Sequence, residues 1–215
     1  MANEMTWTTL NNDLITYMLR TDKPFIVKLP YFIQQGIIRI YNNAKDIGFE
    51  IVGQFNLPNN EYLIDKPGGW RETISFGIID AESINYLLPR TYEYCGTYWP
   101  NLLLTEKPKF YYDFVNNENL STYGSWYVTP AANKEYLVQI IYLSIPNFDA
   151  TTNTNFLTQR YPNLLLYSCL MEASLFLDNE EKRNKYEMMF DKELETINRM
   201  NVDRITDRTI VRDKS

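Results

Sequence analysis

Acidic residues lie among aromatic residues in the middle of the chain, and this combination could carry glycoside chemistry. Two carboxylates can cleave a glycosidic bond, one as an acid and the other as a base or nucleophile. Their separation cannot be obtained from the sequence, so a carbohydrate-binding or glycoside-hydrolysing aromatic-rich β module is kept as an alternative function. The candidates are the acids Glu93, Asp113 and Glu118 and the neighbouring aromatics Tyr94, Trp99 and Tyr112.

Other kinds of catalytic and binding site find little support. The sequence has no histidine, which excludes Ser-His-Asp and Cys-His catalysis and any imidazole metal ligand. Gly68-Gly69 lacks the third glycine and the following helix of a phosphate-binding loop. Cys95 and Cys169 are interpreted as two reduced, buried thiols. We therefore expect no enzyme activity and no cofactor.

A short run of oxygen-bearing side chains resembles a crude calcium site. It lacks the alternating ligands and the central glycine of an EF-hand loop, and such residues favour turns in any case. We therefore interpret the run as a turn and expect no metal. Its members are Asp113, Asn116, Asn117 and Glu118.

Aromatic residues are concentrated in positions 86–127, where they make up 12 of the 42 residues. Tyrosine combines a large apolar ring with a hydroxyl group that tolerates water, which suits contacts between lobes or between subunits. A platform for single-stranded nucleic acid would need interleaved basic residues, and only Arg90, Lys107 and Lys109 are close. The segment is therefore expected to be a packing or contact surface.

The charge balance also argues against nucleic acid as a general partner. The chain has 21 basic and 27 acidic residues, a formal net charge of -6 at pH 7. A surface that coats phosphates would need the opposite balance, although a local basic patch could still exist. The sequence shows neither a signal peptide nor an apolar stretch that could span a membrane.

The hydrophobic period divides the chain into helical ends and a β-rich middle. We predict an α+β fold: a helical bundle built from N- and C-terminal helices, with an inserted antiparallel β lobe that forms a small sandwich or open barrel. The expected division is a helical lobe of residues 1–47 and 155–201, a β lobe of 48–154 and an extended C-terminal tail of 202–215.

Several local predictions can be compared with a structure. Pro30 is expected in the first turn of the second helix, and Asp178 is expected to begin a capping box. Strands at 125–129 and 135–145 are expected to form a hairpin around Pro130. Alternation along the strand that starts at Trp70 places Ile74 on the buried face with Phe76 and Ile78.

The order of several phrases resembles a known family, the adaptor proteins of tailed bacteriophages. These are also called head-to-tail connectors or tail tubular protein A. The likeness extends over nearly the whole chain, and the order and spacing of the phrases carry it. They are Trp7-Thr8-Thr9-Leu10, Leu29-Pro30-Tyr31-Phe32-Ile33, the run from Tyr92 to Asn101, Pro108-Lys109-Phe110-Tyr111-Tyr112, and Tyr161-Pro162-Asn163-Leu164-Leu165-Leu166-Tyr167 with Glu172-Ala173.

The resemblance implies a structural virion protein of the phage neck, assembled in the host cytoplasm. Such proteins form a homo-oligomeric ring, a dodecamer, between the portal protein and the tail nozzle or tail tube protein. The helical lobe would face the portal and the β lobe would face the tail. DNA would pass through the lumen during ejection without specific binding, and the acidic balance is consistent with such a channel. The family offers no catalytic residue to transfer.

A ring needs two different faces on each subunit, and the sequence suggests where one lies. We expect the aromatic segment 92–112 to supply it, and the tail 202–215 to order on a neighbour or on the portal. The subunit-interface candidates are Tyr92, Tyr94, Tyr98, Trp99, Tyr111 and Tyr112, and the portal or neighbour contacts are Arg204, Arg208 and Arg212.

Overall fold

The structure, a computed structural model, describes residues 4–44, 48–80, 83–101, 104–114 and 123–212, with side chains described up to residue 199. The chain divides into two compact units, one combining Met1–Gly48 with Pro146–Ser215 and the other formed by Phe49–Ile145. We call them the helical unit and the β unit. Among the described residues, no helix is both long enough and apolar enough to cross a lipid bilayer.

The helices and strands are segregated along the chain, so the fold is α+β as predicted. In chain order the elements are α1 (Trp7–Met18), α2 (Lys23–Asn43), β1 (Glu50–Leu57), β2 (Leu63–Asp65), β3 (Trp70–Asp80), β4 (Ser83–Tyr86), β5 (Leu88–Pro89), α3 (Tyr92–Tyr98), β6 (Thr105–Glu106), β7 (Phe110–Phe114), β8 (Ser125–Thr129), β9 (Ala131–Ala132), β10 (Tyr136–Ser144), α4 (Phe156–Arg160), α5 (Pro162–Phe176) and α6 (Glu180–Arg212).

Helix α5 is the centre of the helical unit and packs against α1, α2 and α6. Its residues are buried on nearly every side, as its continuous apolar sequence predicts. Helix α2 approaches it closely at Gly36, where a Cβ atom would lie 2.9 Å from the Sγ atom of Cys169. An ion pair between Arg39 and Glu172 joins the same two helices, with 2.9 Å between Nε and Oε1.

Two predicted helix starts in this unit are wrong. Helix α2 begins at Lys23, so Pro24 occupies the first turn and Pro30 lies inside the helix. The cap of α6 is Asn179, whose Oδ1 accepts a hydrogen bond of 2.9 Å from the Lys182 amide, whereas Asp178 has a left-handed backbone. In both cases a neighbouring residue with the same capping or starting chemistry takes the role.

Helix α6 is longer than the sequence predicts. The sequence predicts an apolar stripe of Tyr186, Phe190, Leu194 and Ile197, and all but the half-buried Leu194 are buried. The backbone then remains helical through Arg212, where an extended tail from residue 202 is expected. A helix that has already formed can lengthen at low cost, because each added residue makes one more backbone hydrogen bond.

The β unit is a sandwich. Sheet A has the strand order β1-β10-β3-β4 and sheet B has the order β2-β8-β7-β5, while β6 and β9 form a small separate pair. The inner faces of the two sheets share one core, which includes Phe76, Ile78, Trp126, Val138 and Ile140. Most pairs are antiparallel, but β5 pairs with β7 and β6 pairs with β9 in parallel. Neither sheet is closed into a barrel.

The predicted hairpin around Pro130 is wrong, because its two strands belong to different sheets. Strand β8 pairs with β7 and β2, whereas β10 pairs with β1 and β3. The connection therefore carries the chain from sheet B to sheet A.

Strand β3 contains an irregularity that reverses the predicted direction of one side chain. Tyr142 pairs with Thr73 and Ile141 pairs with Ser75, so Ile74 is an extra residue without a partner in β10. Such a bulge re-aims the neighbouring side chains. Ile74 is exposed, while Phe76 and Ile78 are buried as predicted.

Candidate interaction site

Helix α3 lies across the outer face of sheet B, where it builds a cluster of aromatic rings. Its start is capped by Thr91, whose Oγ1 accepts a hydrogen bond of 3.3 Å from the Tyr94 amide. Ring centroids of Tyr94 and Phe110 are 5.7 Å apart, and those of Trp99 and Phe110 are 5.3 Å apart. The aromatic residues of α3 are therefore what attach it to β7.

The alternation of strand β7 determines which aromatic rings face α3. Phe110, Tyr112 and Phe114 point to the outer face of sheet B, where Tyr92 lies 5.8 Å from Tyr112 between ring centroids. Tyr111 points inward instead and stacks on Phe76 at 4.9 Å with an interplanar angle of 21°. Because consecutive strand residues face opposite sides, Tyr111 contributes to the sandwich core and cannot reach a partner.

The outer cluster continues onto strand β8. The ring of Tyr112 stacks on Tyr127 at 5.0 Å and 17°, and Phe114 meets Tyr127 edge to face at 5.0 Å. Burial raises the pKa of the Tyr112 hydroxyl. Tyr112 is therefore a support beneath α3, and only its neighbours on the helix reach solvent.

The residues that do reach solvent form what we call the α3 surface: Tyr92, Tyr94, Tyr98 and Trp99 with Phe110 below them. Tyr92 is 57% exposed and Tyr98 is 63% exposed, whereas Tyr94 and Trp99 are half-buried. Exposed aromatic rings in this number are typical of the centre of protein contacts.

Arg90 adds a positive charge to the α3 surface, and this charge lies next to two aromatic rings. Its guanidinium carbon lies 5.3 Å from the ring centroid of Tyr94 and 5.4 Å from that of Phe110. Cation–π contact of this kind favours the ring face as a site for the charge. Arg90 lies outside the predicted contact segment 92–112, and Phe110 lies inside that segment but is not among the residues named for it. The alternation of Phe110, Tyr111 and Tyr112 along β7 is the sequence signal that places Phe110 on this side.

A groove runs beside α3 and contains Cys95. It is lined by Tyr92, Cys95, Gly96, Trp99, Pro100, Tyr112 and Thr129. Burial raises the pKa of the Cys95 thiol, so that the reactive thiolate is disfavoured at neutral pH. The groove therefore offers shape and apolar surface to a partner rather than a nucleophile.

The two described acids proposed for glycoside chemistry, Glu93 and Asp113, belong to opposite sides of sheet B. Glu93 lies on α3, which covers the outer face of sheet B, whereas Asp113 has the inward orientation of Tyr111. The Asp113 carboxylate lies 3.2 Å from the Lys66 ammonium. Glu118, Asn116 and Asn117 fall outside the described residues. Within the part of the chain that the structure describes, no group of three acidic, cysteine or histidine residues could hold a metal ion.

Lys66 is a buried lysine in the turn between β2 and β3. Its side chain is fully buried beneath the Trp70 ring, and its Nζ donates a hydrogen bond of 3.1 Å to the Phe114 carbonyl. Desolvation lowers the pKa of this ammonium, while the Asp113 carboxylate acts in the opposite direction. The group ties the end of β7 to the turn before β3.

The helical unit exposes a second apolar cluster at the end where α1 stops, α2 starts and α5 stops. Met18 contacts Ser174, and the rings of Phe32 and Phe176 lie 5.3 Å apart, which brings these helix ends together. Exposed apolar side chains in this region are Leu19, Val27, Tyr31, Leu175 and Phe176. Groups of this kind often mark protein contacts.

The three arginines proposed as portal or neighbour contacts belong to the last turns of α6. Arg204, Arg208 and Arg212 recur every four residues along a helical backbone, and their side chains lie outside the described part of the structure. The spacing is that of one residue per turn.

The described surfaces of this α+β chain are those of a protein suited to contacts with other proteins. A family model described as SU10 adaptor protein matches residues 5–212. The chain therefore belongs to the SU10 adaptor protein family and is a structural adaptor of the phage head–tail region, a component of the virion. The resemblance to tailed-phage adaptor proteins is thus confirmed. A search among curated proteins finds no match.

Proposed function

We propose that copies of this chain form a closed ring that joins the portal protein of a tailed phage to its tail. In this proposal the ring is a dodecamer, binds the portal on one side and the tail nozzle or tail tube protein on the other, and encloses part of the DNA channel. Family membership supports the adaptor role. The observation that carries the ring is the exposed aromatic α3 surface.

The α3 surface has the composition of a subunit interface. Tyr92 and Tyr98 present more than half of their surface to solvent, and Trp99 is half-buried beside them. Removing such rings from water on association yields free energy, and their hydroxyl groups can still find hydrogen-bond partners at the rim. We assign subunit contacts to Tyr92, Tyr94, Tyr98 and Trp99, with Tyr112 as their support.

The helical unit supplies candidates for the contact with the portal. Its exposed apolar cluster around Leu19 and Val27 would lose water on docking. The end of α6 carries Arg204, Arg208 and Arg212, which suit acidic partners on the portal or on a neighbouring subunit. Together they would give the adaptor both an apolar and a charged means of attachment.

DNA would pass through such a ring without being held. The net charge of -6 disfavours phosphate contacts, which would otherwise slow the passage of the duplex. This role uses shape and contacts, so it requires no enzyme activity and no cofactor.

The experiment is assembly of the purified protein with purified portal rings of the same phage. Size-exclusion chromatography with light scattering gives the mass of the protein alone, and negative-stain images show any layer added to the portal. We expect closed rings with a central opening, either alone or on the portal. A protein that stays monomeric in both samples and binds oligosaccharides in calorimetry would instead support the carbohydrate alternative.

A further inference from the structure

The outer face of sheet A is apolar, although its inner face already packs in the sandwich core. Strand pairing places Leu137 opposite Ile79 and Ile79 opposite Ile84, which forms one apolar row across three strands. Val52 pairs with Ile141 in a second row. An antiparallel sheet usually has one face on the core and one polar face in water, so a sheet that is apolar on both sides indicates a second partner.

The middle of this face is exposed and uncharged, and its formal charges lie at its two ends. Glu50 and Glu72 both pair with Leu143 at one end, and at the other Glu135 accepts a hydrogen bond of 2.6 Å from Asn56 Nδ2. Val52 is 59% exposed and Tyr86 is 65% exposed, and Leu137, Ile84 and the bulge residue Ile74 are also exposed. Depletion of charged residues distinguishes the centre of a protein interface from ordinary surface. The register positions between these two ends are Val52, Ile141, Ser75, Gln54, Gln139, Gly77, Tyr86, Asn56, Leu137, Ile79 and Ile84.

Gly77 lets the side chains of this face lie flat. A Cβ atom at this position would be 2.6 Å from the Cγ2 atom of Ile84 and 3.5 Å from the Tyr86 ring. The absence of a side chain at Gly77 therefore allows Ile84 and Tyr86 to fold over the sheet. The result is a broad, continuous surface suited to a partner of similar breadth.

The α3 surface of another subunit has the matching properties. The two surfaces lie on opposite sides of one sandwich, because the inner faces of sheets A and B share the core. A head-to-tail ring requires two different patches on each subunit, each complementary to the other. We propose that the outer face of sheet A binds the α3 surface of a second copy of this chain. This pairing rests on the ring proposed above.

The chemistry of the two surfaces is complementary. The α3 surface offers aromatic rings with hydroxyl groups at Tyr92 and Tyr98, and the sheet offers aliphatic side chains with the amides of Gln54 and Gln139. Arg90 and Glu93 beside the α3 rings have opposite charges, so the α3 surface is neutral in sum. The carboxylates at the two ends of the sheet face can remain in water at the rim, so the centre of the contact buries no uncompensated net charge.

The test uses two full-length variants that each block one surface. Leu137→Lys places a cation on the sheet face, and Tyr98→Lys places one on the α3 surface. Burying an unpaired charge should weaken the contact on the order of 100-fold or more, so each variant alone should be monomeric. Each still has one intact surface, so an equimolar mixture should form a 1:1 heterodimer and no ring. Light scattering coupled to size-exclusion chromatography measures the mass of each variant alone and of the mixture.

Further variants test whether ring formation depends on these two surfaces in particular. Met188→Lys, at an exposed position of α6 outside every surface proposed above, should form rings as the wild type does, and Ile84→Lys should repeat the effect of Leu137→Lys. Circular dichroism checks that every variant is folded. The pairing is overturned if Leu137→Lys and Ile84→Lys both form rings, if Tyr98→Lys alone forms a homodimer, or if the mixture stays monomeric. If the wild type never forms rings, with or without portal, both the proposed function and the pairing are wrong.

Discussion

The ammonium group of Lys66 lies over the ring of Trp70, 3.5 Å from its centroid, inside the β unit. The same Nζ is 3.2 Å from the Asp113 carboxylate and donates to the Phe114 carbonyl. A lysine that is removed from water needs such partners, because its desolvation is costly. One side chain therefore joins the turn after β2, the start of β3 and the end of β7.

Replacing Lys66 should destabilise the β unit. In Lys66→Ala the Asp113 carboxylate loses its cation and the Trp70 ring loses its cover, so the free energy of unfolding should fall by about 2–3 kcal/mol. Lys66→Met retains the volume and should cost less. Lys109→Ala removes an exposed ion pair with Glu106 and should change stability by less than about 0.5 kcal/mol. Urea unfolding measures all three, and equal losses for Lys66→Ala and Lys109→Ala would contradict this prediction.

Two glycines in helices should respond to alanine in opposite directions. At Gly36 the new Cβ would meet Cys169 Sγ at 2.9 Å in a packed helix contact, so Gly36→Ala should destabilise by about 1–3 kcal/mol. At Gly96 the new Cβ would meet nothing within 4 Å, so Gly96→Ala should stabilise α3 by roughly 0.5–1 kcal/mol. Thermal and urea unfolding give both signs, and a destabilised Gly96→Ala would show that the groove beside α3 is filled in the folded protein.

Asp80 should contribute an acid-sensitive part of the stability. Its carboxylate accepts hydrogen bonds from Lys107 at 2.7 Å and Lys134 at 2.9 Å, which lower its pKa from 3.8 to about 2. Since the folded-state pKa is below the unfolded one, the stabilisation is present above pH 3.8 and is lost as the pH falls to about 2. The stability of Asp80→Asn should therefore depend less on pH in this window. Urea unfolding at several pH values measures this dependence. If the stability of the wild type and of Asp80→Asn changes with pH in parallel, the prediction is wrong.

Elements determined by neighbouring residues could be predicted from the sequence. The start of α3 follows from Thr91, and the buried stripe of α6 follows from the spacing of Tyr186, Phe190 and Ile197. The apolar run of α5 likewise predicts a helix surrounded by others. These features depend on contacts within a few turns of one helix or on a period that the sequence displays directly.

Features that depend on distant partners could not be predicted in this way. The two strands beside Pro130 look like a hairpin, but the sandwich pairs each with strands far away in sequence. The bulge at Ile74 arises from the register with β10, which local alternation does not contain. Alternation also assigns the residues of each strand in sheet A to two faces. It does not show which residues of neighbouring strands combine to make the outer face apolar. The interior position of Tyr111 has the same origin, since the side of β7 that faces the core depends on sheet A.

Truncation after residue 201 should separate folding from attachment. The buried stripe of α6 ends at Ile197 in the described part of the helix, so the shortened chain should keep its fold and its thermal stability within a few degrees. It should lose binding to portal rings if the last turns make that contact. The triple variant Arg204→Glu, Arg208→Glu, Arg212→Glu retains the length and should lose binding as well, which a co-sedimentation assay with portal measures. Normal binding by both proteins would remove the proposed role of these turns.

Alanine substitutions at Tyr98 and Trp99 should distinguish a contact residue from a supporting one. Tyr98 is mostly exposed, so Tyr98→Ala should leave the free energy of unfolding within about 0.5 kcal/mol of the wild type. If it contacts a neighbouring subunit, ring formation should weaken by about 1–2 kcal/mol per contact, or roughly 5- to 30-fold. Trp99 also packs on Phe110 at 5.3 Å, so Trp99→Ala should lose both stability, by about 2 kcal/mol, and assembly.

The contrast between these two variants is informative because they are adjacent in sequence and differ in burial. Urea unfolding at a concentration where all proteins are monomeric gives the stability, and light scattering over a concentration series gives the assembly. A Tyr98→Ala protein that assembles as the wild type does would place the subunit contact elsewhere. A Trp99→Ala protein that keeps full stability would mean that α3 is held to β7 by Tyr92 and Tyr94 alone, since their rings reach Tyr112 and Phe110.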